Sequence, residues 1–168
     1  MNYAILAVDD EPANLRMLER LFHREYRVLT AENGEEALAI LQKENVSLII
    51  TDQRMPGMSG TELLRESMQS NPDSIRIILT GCTDVATLTE AINTTRVYKF
   101  VSKPWEPMTL KQTVRDAFRE HEMVSRQKQM VDDVVRLVLA YPDIFNQERT
   151  QDSFISAATV VQELSSTG

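Results

Sequence analysis

The chain has 168 residues, enough for one domain with an extension. With 18 basic and 25 acidic side chains it carries a net charge of −7, which argues against direct nucleic-acid binding, since affinity for a phosphate backbone rests on clustered Lys and Arg. Cys82 is its single cysteine, so no intrachain disulfide can form and a cysteine-based zinc site is not expected. There is neither an apolar N-terminal stretch of signal-peptide type nor an unbroken apolar run of about 18 residues. A cytoplasmic location and no membrane partner are the expectation.

Five short apolar runs alternate with helical patterns. Tyr3–Val8 is the first, and Leu15, Leu18, Leu21 and Phe22 share one face of the helix after it. Pro12 sits where a first-turn proline is tolerated. Tyr26–Thr30 and Val46–Thr51 are the second and third runs. Asn33 with Glu36, and Ser59 with Glu62, have the spacing of capping boxes for the second and third helices. Leu64 and Met68 give the third helix its apolar stripe, and Ile75–Thr80 is the fourth strand. Val85, Leu88 and Ile92 mark a fourth helix before the last strand, Val97–Val101. AILAV, VSLII and IRIILT are nearly continuous in apolar residues, as expected of parallel strands covered on both faces. Five β-α repeats predict a doubly wound, five-stranded parallel α/β sheet with right-handed crossovers.

The core domain is expected to span 1–120. The helix beginning after Pro107 has no Gly or Pro until Pro142. Positions 110, 114, 117, 121, 124, 128, 131, 135 and 138 read Leu, Val, Ala, His, Val, Lys, Val, Val, Val, a heptad seam weakened by His121 and Lys128. The seam outruns the length needed to cover a sheet, so 121–140 is read as a coiled-coil linker and the chain as a homodimer. A break at Tyr141-Pro142-Asp143 opens the tail 141–168, which offers one more helix over Asp152–Leu164. The tail matches no module, and an output domain removed from its C-terminal side is the expectation.

The chemistry gathers at strand ends. In an open parallel sheet, ligands bind outside the C-terminal ends of the strands. Asp9 and Asp10 follow the first strand, Asp52 the third, Thr80 the fourth and Lys103 the fifth, so one rim collects them all. Three carboxylates at close range raise one another's pKa unless a cation joins them. Carboxylates with water suit Mg2+, which pairs with phosphate. A carboxylate in such a setting can act as a nucleophile toward phosphorus. Lys103 would supply positive charge to a phosphoryl oxygen and Thr80 a hydroxyl donor. Singly, each residue has a plainer explanation: a helix cap for the Asp pair, a turn for Asp52, an exposed loop for Lys103, packing for Phe100 and Trp105. Four such coincidences at four strand ends are harder to accept.

VDDEP, TDQRMPGMSG, LTG and FVSKPW, in this order and spacing, resemble the receiver domain of two-component response regulators, in the CheY-like superfamily. The resemblance covers residues 1–120 and implies the flavodoxin-like strand order 2-1-3-4-5. It implies that Asp52 is the phosphoacceptor, that Asp10 binds Mg2+ directly and Asp9 mainly through water, and that the Arg54 backbone carbonyl is a further ligand. Thr80 and Lys103 would hold the phosphoryl group, and Phe100 stands at the switch-aromatic position. The partner would be a sensor histidine kinase or a phosphotransfer protein. Tyr98, Phe100, Lys103, Pro104 and Trp105 are also similar to a receiver subgroup ending in YxFxxKPW, joined to cyclases, phosphodiesterases or transcription activators.

No turnover of an external metabolite is expected, so the chain is not read as an enzyme. Phosphatases with an Asp nucleophile carry a second acid two residues on, where this chain has Arg54. Arg54 and Cys82, two residues after Asp52 and Thr80, are placed to screen the phosphoryl group from water. On phosphorylation Thr80 would move toward the phosphate and Phe100 would rotate inward. The face carrying Arg96, Tyr98 and Lys99 would change shape, and with it the linker. The competing reading is a dimerisation scaffold that works without phosphorylation.

Overall fold

The structure is a computed structural model that describes residues 3–81 and 95–140. Its strands are β1 (Ala4–Val8), β2 (Arg27–Ala31), β3 (Leu48–Asp52), β4 (Ile75–Thr80) and β5 (Lys99–Ser102). The described helices are α1 (Pro12–Phe22), α2 (Gly34–Leu41), α3 (Gly60–Ser70) and the long α4 (Pro107–Ala140). The strands form one parallel sheet in the order β2-β1-β3-β4-β5. Fold class and strand order agree with the expectation, and strand ends shift by no more than two residues. Cys82, the stripe Val85, Leu88 and Ile92, the break at Tyr141-Pro142 and the helix expected over Asp152–Leu164 lie outside the described residues.

The continuous apolar runs follow from strand geometry, in which successive side chains point to opposite faces. Ile5, Ala7, Leu48, Ile50, Ile77 and Leu79 pack with Leu15, Leu18 and Phe22 of α1 and with Leu110, Val114, Ala117 and Phe118 of α4. Their neighbours Leu6, Val8, Ile49 and Ile78 pack on the other face with Ala37 and Leu41 of α2 and Leu63 and Leu64 of α3. Tyr3 stacks on Phe118 with ring centroids 4.4 Å apart, which helps fasten the start of β1 to α4.

Capping matches the sequence at one helix and departs from it at another. At α3 the Ser59 side chain accepts the Glu62 N–H and the Glu62 carboxylate accepts the Ser59 N–H, a complete box. At α2 the Asn33 side chain accepts the Glu36 N–H, but the Glu36 carboxylate turns to the Glu32 N–H, 2.8 Å away. The reciprocal half of that box is absent because a backbone donor one residue earlier takes the acid.

Arg76 is the feature of the core that the apolar pattern of β4 concealed. It is 1% exposed. Its guanidinium donates to the carbonyls of Asn71 at 2.8 Å, Ser74 at 2.6 Å and Pro72 at 3.3 Å, and to the Ser67 hydroxyl at 3.3 Å. Ser67 and Asn71 lie at the C-terminal end of α3, where the helix dipole favours a cation, and Pro72 and Ser74 lie in the connection from it to β4. Burial pushes the guanidinium below its ordinary pKa, and the nearby charge of Arg96 acts the same way.

The boundary between two compact units falls at Val124/Ser125, inside α4. Beyond it, Met130, Val134, Leu137 and Leu139 are exposed apolar side chains, while Val131, Val135 and Val138 of the expected seam are partly buried. The apolar face of this half-helix, with residues at 130/131, 134/135 and 137/138, is wider than the narrow seam of a two-stranded coiled coil.

Candidate phosphoacceptor site

The rim forms because the strand ladders run on past the strand ends. Asp9 N–H donates to the Ala31 carbonyl at 3.2 Å, Gln53 N–H to Leu79 at 2.9 Å and Lys103 N–H to Thr80 at 2.7 Å. These bonds hold the residues after β1, β3 and β5 in register with their neighbours. Asp9 is fully buried, Asp52 and Thr80 nearly so, and Asp10 is exposed.

Asp9, Asp10 and Asp52 each present a carboxylate oxygen, all within 4.8 Å of one another. The Lys103 ammonium lies 2.8 Å from Asp52 Oδ1 and 3.0 Å from Asp9 Oδ2, bridging the ends of β1 and β3 from β5. It also lies 5.6 Å from the Trp105 ring centroid, within cation–π range. Burial alone would lower the Lys103 pKa. The hydrogen bonds to Asp52 and Asp9 outweigh it, and the pKa sits above its ordinary value.

The donor set fits a hard divalent cation. Three carboxylates face one lysine, leaving an excess of two negative charges at a rim open to solvent through Asp10. All-oxygen ligation with room for water is what Mg2+ takes.

Two glycines shape the segment behind Asp52. Gly57 has φ +81°, a left-handed turn that turns the chain back after Met55-Pro56. At Gly60 an added Cβ would stand 2.3 Å from the Asp52 carbonyl oxygen. Only glycine lets the start of α3 come this close. Gln53, buried beside Asp52, accepts from both the backbone N–H (3.2 Å) and the hydroxyl (2.8 Å) of Thr61, tying the end of β3 to the first turn of α3.

The structure thus brings Asp9, Asp10, Asp52 and Lys103 together. Thr80 stands at the same rim, with its hydroxyl donating to the Gly81 carbonyl at 3.1 Å. Arg54 is exposed, two residues after Asp52. Phe100 is partly buried and packs against the core shared by α2 and α3. Arg96, Tyr98 and Lys99 are exposed on one stretch leading into and opening β5. Two residues escaped the sequence reading, Gln53 and Asn14. The Asn14 amide donates to both oxygens of Asp9 at 3.0 Å. Its position four residues after Asp10, one helical turn into α1, was the available signal.

Comparison with known proteins agrees with this geometry. Residues 5–115 match the family model described as the response regulator receiver domain. The hydrogenase transcriptional regulatory protein HoxA of Cupriavidus necator is 41% identical over 113 residues, covering 67% of this chain and 23% of that protein. The transcriptional regulatory protein GlrR of Escherichia coli is 37% identical over 119 residues, covering 69% of this chain and 26% of that protein. The chain spans about a quarter of the length of these relatives. Among solved structures, one titled adenylate cyclase from Rhodopirellula baltica superposes with a TM-score of 0.73 at 34% identity, covering 79% of this chain and 98% of that one. The receiver domain of an HD domain-containing protein from Pseudomonas fluorescens gives 0.69 at 31% identity, covering 73% and 99%. The chain belongs to the response regulator receiver domain family.

Proposed function

We propose that this chain accepts a phosphoryl group on Asp52 from a histidine kinase or phosphotransfer protein and relays the event to an output domain. The observation that carries this reading is the Lys103 ammonium held between Asp52 and Asp9 at the strand ends. An Asp52 carboxylate oxygen attacks the phosphorus of the donor. A P–O bond forms as the P–N bond of a phosphohistidine breaks, and the leaving imidazole takes up a proton. Lys103 meets a phosphoryl oxygen, and Thr80 turns its hydroxyl from Gly81 toward another. Asp9, Asp10, Asp52 and the Arg54 carbonyl would hold Mg2+, which supplies charge neutralisation for the phosphoryl oxygens.

Movement of Thr80 frees space beside Phe100, which rotates further into the core and reshapes the surface of Arg96, Tyr98 and Lys99. The chain turns over no external metabolite. HoxA and GlrR carry names of transcriptional regulators and the R. baltica protein that of a cyclase, so one switch serves different outputs. A scaffold role is the second reading, favoured by the exposed Met130, Val134 and Leu137. In it, pairing of two chains through α4 is independent of phosphate.

The test is intact-protein mass after incubation with acetyl phosphate and Mg2+. One added phosphoryl group on the parent chain and none on Asp52→Asn is expected. A mass gain that survives Asp52→Asn overturns the assignment.

A further inference from the structure

Asp9 is fully buried and accepts four hydrogen bonds. Glu11 N–H donates to Oδ1 at 2.9 Å, Lys103 to Oδ2 at 3.0 Å, and the Asn14 amide to both oxygens at 3.0 Å. Each donor does a different job. The Glu11 N–H comes with the entry into α1. Lys103 is shared with Asp52. Asn14 alone spans both oxygens from a neutral side chain on a regular helix, and so sets the carboxylate's rotation about its own axis.

Neutrality matters here. A buried carboxylate needs donors, but a second cation beside Asp9 would halve the negative excess that draws a divalent ion. An amide supplies hydrogen bonds and no charge. Groups that orient a metal's carboxylates from behind tune its affinity, typically by about 10- to 100-fold.

We infer that Asn14 is a positioning residue for cation binding, fixing the Asp9 carboxylate from α1 while leaving the pocket's charge deficit intact. The inference rests on the reading of this pocket as the Mg2+ site of a phosphoacceptor.

The experiment uses the full chain and Mg2+ alone, followed by the fluorescence of Trp105, the one tryptophan, whose ring lies 5.6 Å from the Lys103 ammonium. Asn14→Ala suits the helix and should fold. Its Mg2+ affinity is expected to fall by about 10- to 100-fold, with its melting temperature in EDTA close to that of the parent. Asn14→Gln, which keeps the amide, should recover part of the loss. With acetyl phosphate, the Mg2+ concentration for half-maximal phosphorylation should rise by the same factor, while the rate at saturating Mg2+ stays nearly unchanged. A purely structural role would lower the melting temperature and leave both Mg2+ midpoints alone, which would overturn the inference. So would parent-like Mg2+ affinity in Asn14→Ala. A parent chain that shows no response to Mg2+ would overturn the reading of the pocket along with it.

Discussion

The Lys103 ammonium stands 2.8 Å from Asp52 Oδ1 and is shared with Asp9. The lysine is the one cation in direct contact with these carboxylates among the described residues. Lys103→Met should therefore destabilise the metal-free chain. Breaking a buried ion pair costs about 3–5 kcal/mol, and this partly exposed lysine should give less, about 1–3 kcal/mol. Mg2+ should restore more stability to the variant than to the parent, because the ion replaces the lost charge. Thermal melts with and without Mg2+ measure this. Equal Mg2+ stabilisation in both proteins would contradict the shared-cation picture.

Asp10 presents the opposite case. It is exposed at the rim and adds repulsion to a pocket already rich in carboxylates. Asp10→Asn should leave the metal-free chain as stable or more stable, by about 0.5–1 kcal/mol, the scale of a removed surface charge clash. The same change should abolish most of the Mg2+ stabilisation. A destabilised, Mg2+-responsive variant would mean Asp10 is a cap for α1 and not a ligand.

The rim was legible in the sequence because strand ends follow from apolar runs and the topology then gathers Asp9, Asp10, Asp52, Thr80 and Lys103. Arg76 was not. Its run, IRIILT, reads as apolar, and only the α3 C-terminus packed over it explains a buried guanidinium. Asn14 and Gln53 were missed for a related reason: their partners are fixed by three-dimensional proximity, and beyond the spacing of Asn14 from Asp10 neither residue carries a signal in the sequence. The Glu36 side chain departed from the expected box because the Glu32 N–H takes its carboxylate, a competition that residue spacing does not register.

Arg76→Met keeps an unbranched, apolar stem but deletes the donors to Asn71, Ser74 and Pro72. Buried carbonyls would lose charge-assisted hydrogen bonds, at a cost of about 2–4 kcal/mol. Arg76→Lys should rescue little, because one ammonium cannot reproduce a planar fork that reaches several acceptors. Urea unfolding of the three proteins ranks them. Parent-like stability of Arg76→Met would show that the guanidinium contributes nothing beyond its stem.

Gly60→Ala tests the close approach behind Asp52. The new Cβ would meet the Asp52 carbonyl oxygen, a backbone atom that cannot rotate away, so α3 must shift. A loss of about 1–3 kcal/mol is expected from such overpacking, with slower phosphorylation of the displaced Asp52. Gly57→Ala meets nothing within 4 Å, and its cost is backbone strain alone at φ +81°. It should therefore spare the phosphorylation rate more than Gly60→Ala does. The reverse order in rate would place the functional constraint in the turn instead of the helix start.

Glu25 makes a pH prediction. Hydrogen bonds from Arg115 and Lys111 of α4 lower its pKa from the ordinary 4.5 to about 2. The salt bridges measure 3.0 Å to Arg115 and 2.6 Å to Lys111. The folded state thus binds the proton less readily than the unfolded chain does. Above pH 4.5 the full contribution to stability is present, and it is lost as pH falls through about 2, below which Glu25 is protonated in both states. Glu25→Gln should be less stable than the parent at pH 7, and the gap should close between pH 4.5 and 2. Denaturant midpoints across that window, at low salt, follow the gap. A gap that stays constant with pH would mean that packing, and not the charge of Glu25, ties the α1–β2 connection to α4.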